Sequence, residues 1–539
     1  MNDKQEELKF LSEVERRLAS DRPFGDYRYI DGQTWLHYES RLKMLAEHVP
    51  AAGQTLKAFA QASGPSRYRV MGDPVVRSAI NTGLSYFKLS GPEVNLEEIA
   101  GVLQVATRQL RANSRISPLS LGVAEPKRLG RSLHHGWIWK DEREEDFPAK
   151  SFRGLFFRQE SGRSALWTPD KPAHQMLLQG TQLLTELLPK LSRSVLNHVH
   201  LVVLLHVADR ELWKDERHCL PFDSFSTGIV PGTIFLSKTA IKDTWRTAEY
   251  LLHEALHQKH HDLEHTHSML REGYAAQYSP TITALWNRTQ GDNLNEWPVC
   301  RTVAAFHVYV HLSLFFKVLA IRSQELEDSY DLHNVNATLY ARRSLDRAHY
   351  LGKKLQEVSN EMGLAGNRFI EWLLEALVML DPEPSLASMN NHLLDLYESE
   401  TEQIGKMVAN WGKLRSKFIH KTLAGAKNNR PARQAVLDLV EGDLALADQL
   451  PLVLNGNEPY RASPLPSFRP DAIGEIPDEQ LASLVSAARN YTYSALRSAN
   501  PMVFNSISPV QPAKTVGQLL EERVARSGEC LNTFEYSPD

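Results

Sequence analysis

The feature that most restricts the fold is a long apolar stretch in the middle of the chain. Residues 301–317 read Arg-Thr-Val-Ala-Ala-Phe-His-Val-Tyr-Val-His-Leu-Ser-Leu-Phe-Phe-Lys, and only Arg301, His307, His311 and Lys317 interrupt the apolar pattern. A helix that is hydrophobic on all sides has to be buried among other elements. We therefore expect this stretch to form a central, buried helix surrounded by further helices.

Composition narrows the class of protein. A chain of 539 residues with 42% hydrophobic and 23% charged residues has the make-up of a soluble globular protein, and its length suggests about three or four domain-sized units. A net charge of -4 gives no indication of a nucleic-acid partner. The N-terminus is too charged for a secretory signal, and no apolar run is long enough for a membrane span. The three cysteines show no paired spacing, so a cytoplasmic protein is expected.

Hydrophobic periodicity predicts a mainly α fold with a small β element next to a metal-binding helix, in a multi-helix architecture that is not a jelly roll. Strands are predicted at 200–207 and 232–237 because both segments are short, apolar and β-branched. Helices are predicted at 4–19, 74–86, 97–111, 176–191, 332–358, 366–380, 386–423, 431–449 and 478–497.

Five regions follow from these patterns. They are an N-terminal helical region (1–113), a loop-rich connector and helix (114–198), a metal-binding catalytic core (199–330), a C-terminal helical layer (331–454), and a proline-rich linker with a helix and a tail (455–539).

The core contains a His-Glu-x-x-His pattern, which His253, Glu254 and His257 form within a run of good helix formers. Histidines four residues apart lie on one face of a helix, where both imidazoles can bind a single metal ion. Glu254 is turned about 100° around the helix and stays just outside the ligand set. The later histidines of this segment are interpreted as solvated or supporting residues; they are His260, His261, His265 and His267.

A pair of histidines needs at least one further ligand, and the identity of that ligand decides the chemistry. One candidate is Glu272 in the segment Arg-Glu-Gly-Tyr-Ala, which is similar to the turn that supplies a glutamate ligand in gluzincin metallopeptidases. This interpretation predicts a zinc peptidase in which Glu254 is the general base.

The other candidate is His307, with His311 one turn behind it. A buried, unsatisfied polar group costs on the order of 1–3 kcal/mol, so two imidazoles on a buried helix require partners. If one of them binds the metal, the site has three imidazoles and lacks the carboxylate of a zinc peptidase of this type.

The order of motifs across roughly residues 222 to 320 resembles that of the His-Glu-x-x-His peptide-modification proteins. These are iron- and 2-oxoglutarate-dependent hydroxylases of ribosomally synthesised, post-translationally modified peptides. The chain departs from their pattern at Thr302, where the family commonly has a proline after the arginine. The matching segments are Ser226–Ser237, Ala248–His257, Ser279-Pro280, Trp286–Arg288, Trp297–Arg301 and Phe306-His307.

The resemblance implies an enzyme, a dioxygenase that hydroxylates a side-chain carbon, the β-carbon, of a precursor peptide. It implies Fe(II) held by His253, His257 and His307, and 2-oxoglutarate as co-substrate. Arg301 and Arg288 are the candidates for binding the distal carboxylate of 2-oxoglutarate, because guanidinium groups bind carboxylates in a bidentate manner. Glu254 then supports a ligand or the substrate instead of acting as a base.

Overall fold

The structure is a computed structural model, and it describes residues 2–89, 95–113, 127–129, 136–139, 152, 164–207, 224–228, 230–238, 240–284, 286, 295–332 and 335–384. The chain divides into two compact units, one formed by 1–283 and 291–386 and the other by 284–290 and 387–539. Only Ala284 and Trp286 of the second unit are described. The helices predicted at 386–423, 431–449 and 478–497 lie outside the described residues.

Six helices form the N-terminal part of the first unit. Side-chain caps fix where several of them begin: Asp26 accepts a hydrogen bond from the Arg28 amide, and Asn95 accepts from the amides of Glu97 and Glu98. The six helices are α1 (Asn2–Ser20), α2 (Tyr27–Ala46), α3 (Pro50–Gln61), α4 (Gly64–Met71), α5 (Pro74–Leu89) and α6 (Leu96–Arg111).

A six-stranded mixed sheet follows, in the order β1-β2-β4-β6-β5, with β3 also paired to β4. The pairs β2–β4 and β4–β6 are parallel, whereas β1, β3 and β5 join antiparallel. Side chains alternate along β4, and Leu201, Val203 and Leu205 pack into the same hydrophobic cluster as the N-terminal helices. The strands are β1 (Lys127–Arg128), β2 (Trp137–Ile138), β3 (Ser164–Trp167), β4 (Leu201–Val207), β5 (Ser224–Ser226) and β6 (Thr233–Ser237).

The remaining helices of the first unit pack around two long helices, Thr244–Thr266, which carries the motif, and the apolar Val299–Tyr330. The predicted helix at 176–191 is two helices, because Leu188 leaves the helical conformation with φ at -136° before Pro189 begins the next one. A short hairpin of β7 (Thr281–Thr283) and β8 (Glu296–Pro298) precedes α10. The helices are α7 (Lys171–Leu187), α8 (Pro189–Leu196), α9 (Thr244–Thr266), α10 (Val299–Tyr330), α11 (Ala337–Glu357) and α12 (Leu364–Leu380).

The long apolar helix is buried, as its sequence predicts. Within the described part of the chain, α10 is the one helix long and apolar enough to cross a membrane, and 67% of its most apolar 18-residue window is buried inside the protein. This burial is that of a core helix. The predicted fold class, mainly α with a small sheet next to the motif helix and no closed jelly-roll barrel, is confirmed.

Candidate functional site

The motif helix α9 is attached to the sheet by a buried glutamine. Gln258 accepts a hydrogen bond from the Gly232 amide at 2.6 Å and donates one to the Thr233 carbonyl at 3.0 Å. Its side-chain amide therefore binds the backbone at the beginning of β6. Gly232 has φ at +77°, which glycine adopts without strain. The helix is therefore held close to the sheet next to the His-Glu-x-x-His segment.

The two motif histidines converge on one point. Nε2 of His253 and Nε2 of His257 are 3.2 Å apart, and the ring centroids are 4.9 Å apart. The side chain of His253 is 32% exposed, so the site opens to solvent. Burial, followed by the charges of His253 and other neighbours, lowers the pKa of His257 well below its usual value. His257 is therefore neutral near pH 7, which is the form that binds metals.

Glu254 lies beside this pair, but its side chain turns toward the sheet edge. The residue is 2% exposed, and its Oε1 atom accepts a hydrogen bond of 2.6 Å from Oγ of Ser224 in β5. The same Oε1 is 3.9 Å from Nε2 of His253. Oε2 is buried and has no hydrogen-bond partner within the described part of the chain. One oxygen of this carboxylate is therefore available to accept a hydrogen bond from a bound molecule.

His307 lies in the interior, on α10, next to a residue of the motif helix. It is fully buried, and its ring is 6.0 Å from that of His260 and 4.5 Å from that of His311. Neither ring nitrogen of His307 has a hydrogen-bond partner among the described residues. His260 is also buried, so of its two interpretations, solvated or supporting, the first is wrong and the second stays a prediction.

Burial also keeps these deep imidazoles neutral. It is the largest cause that lowers the pKa of His307 well below its usual value, and it lowers the pKa of His311 to about 3. Nδ1 of His311 donates to the His307 carbonyl at 2.7 Å, because a carbonyl can only accept. Nε2 of His311 is then the nitrogen with a free lone pair, and it has no partner in the described chain.

His307 and His311 are two of the candidates for the third ligand, and neither forms a complete set of metal ligands with His253 and His257. In the described part of the chain, no group of three or more His, Cys, Asp or Glu side chains is arranged to hold a metal ion. His253 and His257 fit a metal as a two-donor unit. His307 fits as a donor by its chemistry, since it is neutral, buried and unpartnered, but it lies beside His260.

Glu272 is exposed in the turn that follows the motif helix. Gly273, which follows it, has φ at +70°, and the adjacent Arg271 forms an ion pair of 3.0 Å with Glu361. The hydroxyl of Tyr274 accepts a hydrogen bond of 3.1 Å from the Cys300 amide at the beginning of α10. The neighbours of Glu272 attach the turn to the protein while its carboxylate remains at the surface. Its role as a zinc ligand stays a prediction.

Arg301, one of the two predicted cations, is an exposed residue at the beginning of α10. Its guanidinium carbon is 4.8 Å from the centroid of the Trp297 ring, and no carboxylate within the described residues forms an ion pair with it. Its positive charge is one of the causes that lower the pKa of His257, although a smaller one than burial and the neighbouring histidines. Arg288, the other predicted cation, lies outside the described residues.

A buried charge cluster holds the far end of the motif helix. Asp262 forms an ion pair of 2.8 Å with Arg77 of α5 and a hydrogen bond of 2.6 Å with Nδ1 of His198. Three residues earlier on the helix, the ammonium group of Lys259 donates to the Gly25 carbonyl and to Oγ of Ser194, both at 3.0 Å. These polar contacts connect the motif helix to α5, α8 and the turn after α1.

The sequence did not predict the contact of Ser224 with Glu254 or the burial of His260 beside His307. His260 carried a signal, since it follows His253 by seven residues and therefore lies on the same helix face. Ser224 carried none, because its role depends on the pairing of β5 with β6, which the sequence does not reveal.

No protein-family model matches the chain, and no curated protein matches its sequence.

Proposed function

We propose that this protein is an Fe(II)- and 2-oxoglutarate-dependent oxygenase of the cytoplasm that hydroxylates a side-chain carbon, the β-carbon, of a ribosomally made precursor peptide. The observation that carries the proposal is the position of Arg301. Its guanidinium has no carboxylate partner among the described residues, and its charge is one of the causes that lower the pKa of His257, a member of the converging pair. A dicarboxylate co-substrate that binds a metal through one end needs such a cation for the other end.

The donor set supports the same proposal. His253 and His257 would hold the iron, and we propose His307 as the third ligand, with His311 as its alternative, although among the described residues neither is grouped with the motif pair. Neutral imidazoles suit Fe(II), and a site with three protein ligands leaves positions for co-substrate and oxygen. The unpartnered nitrogens of His307 support this role, because buried polar atoms are normally satisfied by some partner.

The proposed reaction is balanced by its two substrates. One oxygen atom of O₂ enters the carbon–hydrogen bond of the peptide, and the other enters 2-oxoglutarate, which loses CO₂ and becomes succinate. When bound, the iron supplies the activation of oxygen. Arg301 would bind the distal carboxylate of 2-oxoglutarate. Oε2 of Glu254 would accept a hydrogen bond from a bound donor group.

The zinc peptidase is the second candidate, because the buried carboxylate of Glu254 beside His253 also suits a general base. It requires Glu272 as the third ligand, and that residue is exposed. It also gives Arg301 no task. These two observations favour the oxygenase.

The test is metal analysis and a succinate assay on protein reconstituted with Fe(II) under anaerobic conditions and then exposed to air with 2-oxoglutarate. The assay follows the conversion of 2-oxoglutarate to succinate, so its readout does not require the peptide to be identified. We expect succinate from the wild type and its loss in His307→Ala. A Glu272→Ala variant is the matched control and should retain both the metal and succinate formation.

The zinc peptidase predicts the reverse pattern. In that case Glu272→Ala loses the metal, His307→Ala retains it, and cleavage products form without any keto acid. Iron bound in air without any succinate would contradict the proposed function.

A further inference from the structure

We infer that Ser224 is a positioning residue, which holds Glu254 so that its second oxygen can accept a hydrogen bond from a donor group bound at the site. This inference deepens the proposed function and rests on it for the identity of that ligand. The ligand group that Glu254 would meet is a hydrogen-bond donor, such as a peptide N–H or a hydroxyl group.

The position of Ser224 is fixed by the sheet. It belongs to β5, the terminal strand of the sheet order, where it lies opposite Leu236 of β6. The next residue, Phe225, stacks on Phe235 with ring centroids 4.6 Å apart and joins the hydrophobic core on the other face. Because side chains alternate along a strand, Phe225 directs Ser224 toward the face of the sheet that the motif helix covers.

The strand also runs along the motif helix in the same direction as the helix. Ser224 contacts Glu254 at one end, and a Cβ atom at Gly228 would lie 3.6 Å from Nδ1 of His261 at the other end. His257 comes between these two contact points in the helix. The strand edge therefore passes beside the imidazole pair, where a substrate would approach the site.

The two oxygens of Glu254 have different surroundings. Oε1 has the Ser224 hydroxyl at 2.6 Å, whereas Oε2 is buried without a partner in the described chain. Leaving a buried acceptor unsatisfied is unfavourable, so this arrangement is expected where a ligand completes the hydrogen bonds. Without Ser224, the carboxylate would lose its one fixed contact and could rotate its free oxygen away from the ligand.

The same strand provides a matched control. Ser226 lies two residues further along, on the same face as Ser224, and its hydroxyl is also buried but has no partner among the described residues. Ser224→Ala and Ser226→Ala therefore remove the same atom from equivalent strand positions. Ser224→Thr keeps the hydroxyl and suits a β-strand, so it tests whether the hydrogen bond itself matters.

Two measurements on the full-length protein test the inference. In the succinate assay, we expect Ser224→Ala to lower kcat by about tenfold, with KM for 2-oxoglutarate changed by less than about twofold, since groups just outside the ligand set of a metal, as Glu254 is here, typically contribute 10- to 100-fold to metal affinity or activity. Titration with Co(II) is independent of turnover, and there we expect an affinity about tenfold weaker and an altered visible absorption spectrum. Ser224→Thr should restore both, and Ser226→Ala should match the wild type.

The outcomes separate this inference from the proposed function. If the wild type forms no succinate, the oxygenase proposal fails, and the Co(II) titration still decides the role of Ser224. If Ser224→Ala equals Ser226→Ala in both measurements, Ser224 has no positioning role. A loss in Ser224→Ala that Ser224→Thr does not restore would also overturn it, because the hydroxyl would then not be the cause.

Discussion

Arg77 and Asp262 form an ion pair of 2.8 Å in the protein interior, between α5 and the motif helix. Both side chains are buried, and His198 donates a second hydrogen bond to the same carboxylate. Breaking a buried pair by removing one partner leaves an uncompensated charge, which costs about 3–5 kcal/mol. We therefore expect Asp262→Asn to lower the free energy of unfolding by about this amount at pH 7, as measured by urea denaturation.

The same variant gives a pH test. Burial raises the pKa of Asp262, but the charge of Arg77 and the hydrogen bond from His198 outweigh burial and hold the pKa below its usual value. A carboxylate with a lowered pKa stabilises the fold above the pKa it has in the unfolded chain, which is about 4, and this contribution disappears as the pH falls. The difference between wild type and Asp262→Asn should therefore shrink below about pH 4. A difference that grows toward acidic pH would contradict the ion pair.

The converging histidines predict the metal content. His253→Ala and His257→Ala should each lower the iron or cobalt bound from about one per chain to below about one tenth, because either substitution breaks the chelate that the two converging imidazoles form. His267→Ala is the control, since His267 is the C-cap residue of the same helix and its ring packs against that of Phe24. Elemental analysis after dialysis measures the result, and retention of metal by both motif variants would exclude a site at this pair.

The proposed role of Arg301 predicts that its substitution weakens the binding of 2-oxoglutarate. A charge-assisted hydrogen bond contributes about 1.5–3 kcal/mol, so Arg301→Ala should raise KM for 2-oxoglutarate by about 10- to 100-fold. Arg301→Lys should recover only part of this, because an ammonium group cannot bind a carboxylate through a planar fork. Arg322→Ala is the control on the same helix, as Arg322 is already paired with Glu186 and Glu325. An unchanged KM in Arg301→Ala would transfer the role to Arg288.

Replacing either of two helical glycines by alanine is expected to change the stability of the protein, in opposite directions at the two positions. A Cβ atom at Gly180 of α7 would lie 2.6 Å from the Thr247 side chain and 3.1 Å from the Ala248 amide, so Gly180→Ala should push α7 away from the motif helix and destabilise the protein by about 1–3 kcal/mol. Gly32 in α2 has open space around it, so Gly32→Ala should stabilise by about 0.5–1 kcal/mol. Thermal unfolding of the two variants measures the contrast.

Local patterns were enough to predict the elements that carry the site. The periodicity of 97–111, the proline after Asp73 and the apolar run from Arg301 each correspond to a helix of the structure. The strands at 200–207 and 232–237 are also present as β4 and β6. These elements follow from the spacing of apolar residues and from capping, which are properties of neighbouring residues.

Long-range relationships could not be predicted in this way. The contact between Ser224 and Glu254 depends on β5 pairing with β6, and the ion pair between Arg77 and Asp262 joins residues 185 positions apart. Nothing in the local sequence of either residue identifies its partner. The spacing predicted the imidazole pair, whereas the arrangement of His307 beside His260 depends on how α10 crosses α9.

The contacts of Lys259 have a practical consequence for anyone who wishes to shorten this protein. Its ammonium group is fully buried, and it donates to Gly25 and to Ser194, neither of which belongs to the segment 199–330. A fragment limited to that segment would keep both motif histidines and yet deprive Lys259 and Asp262 of their partners. A fragment that keeps these partners would therefore have to begin no later than the turn at Gly25, more than two hundred residues before the His253–His257 pair.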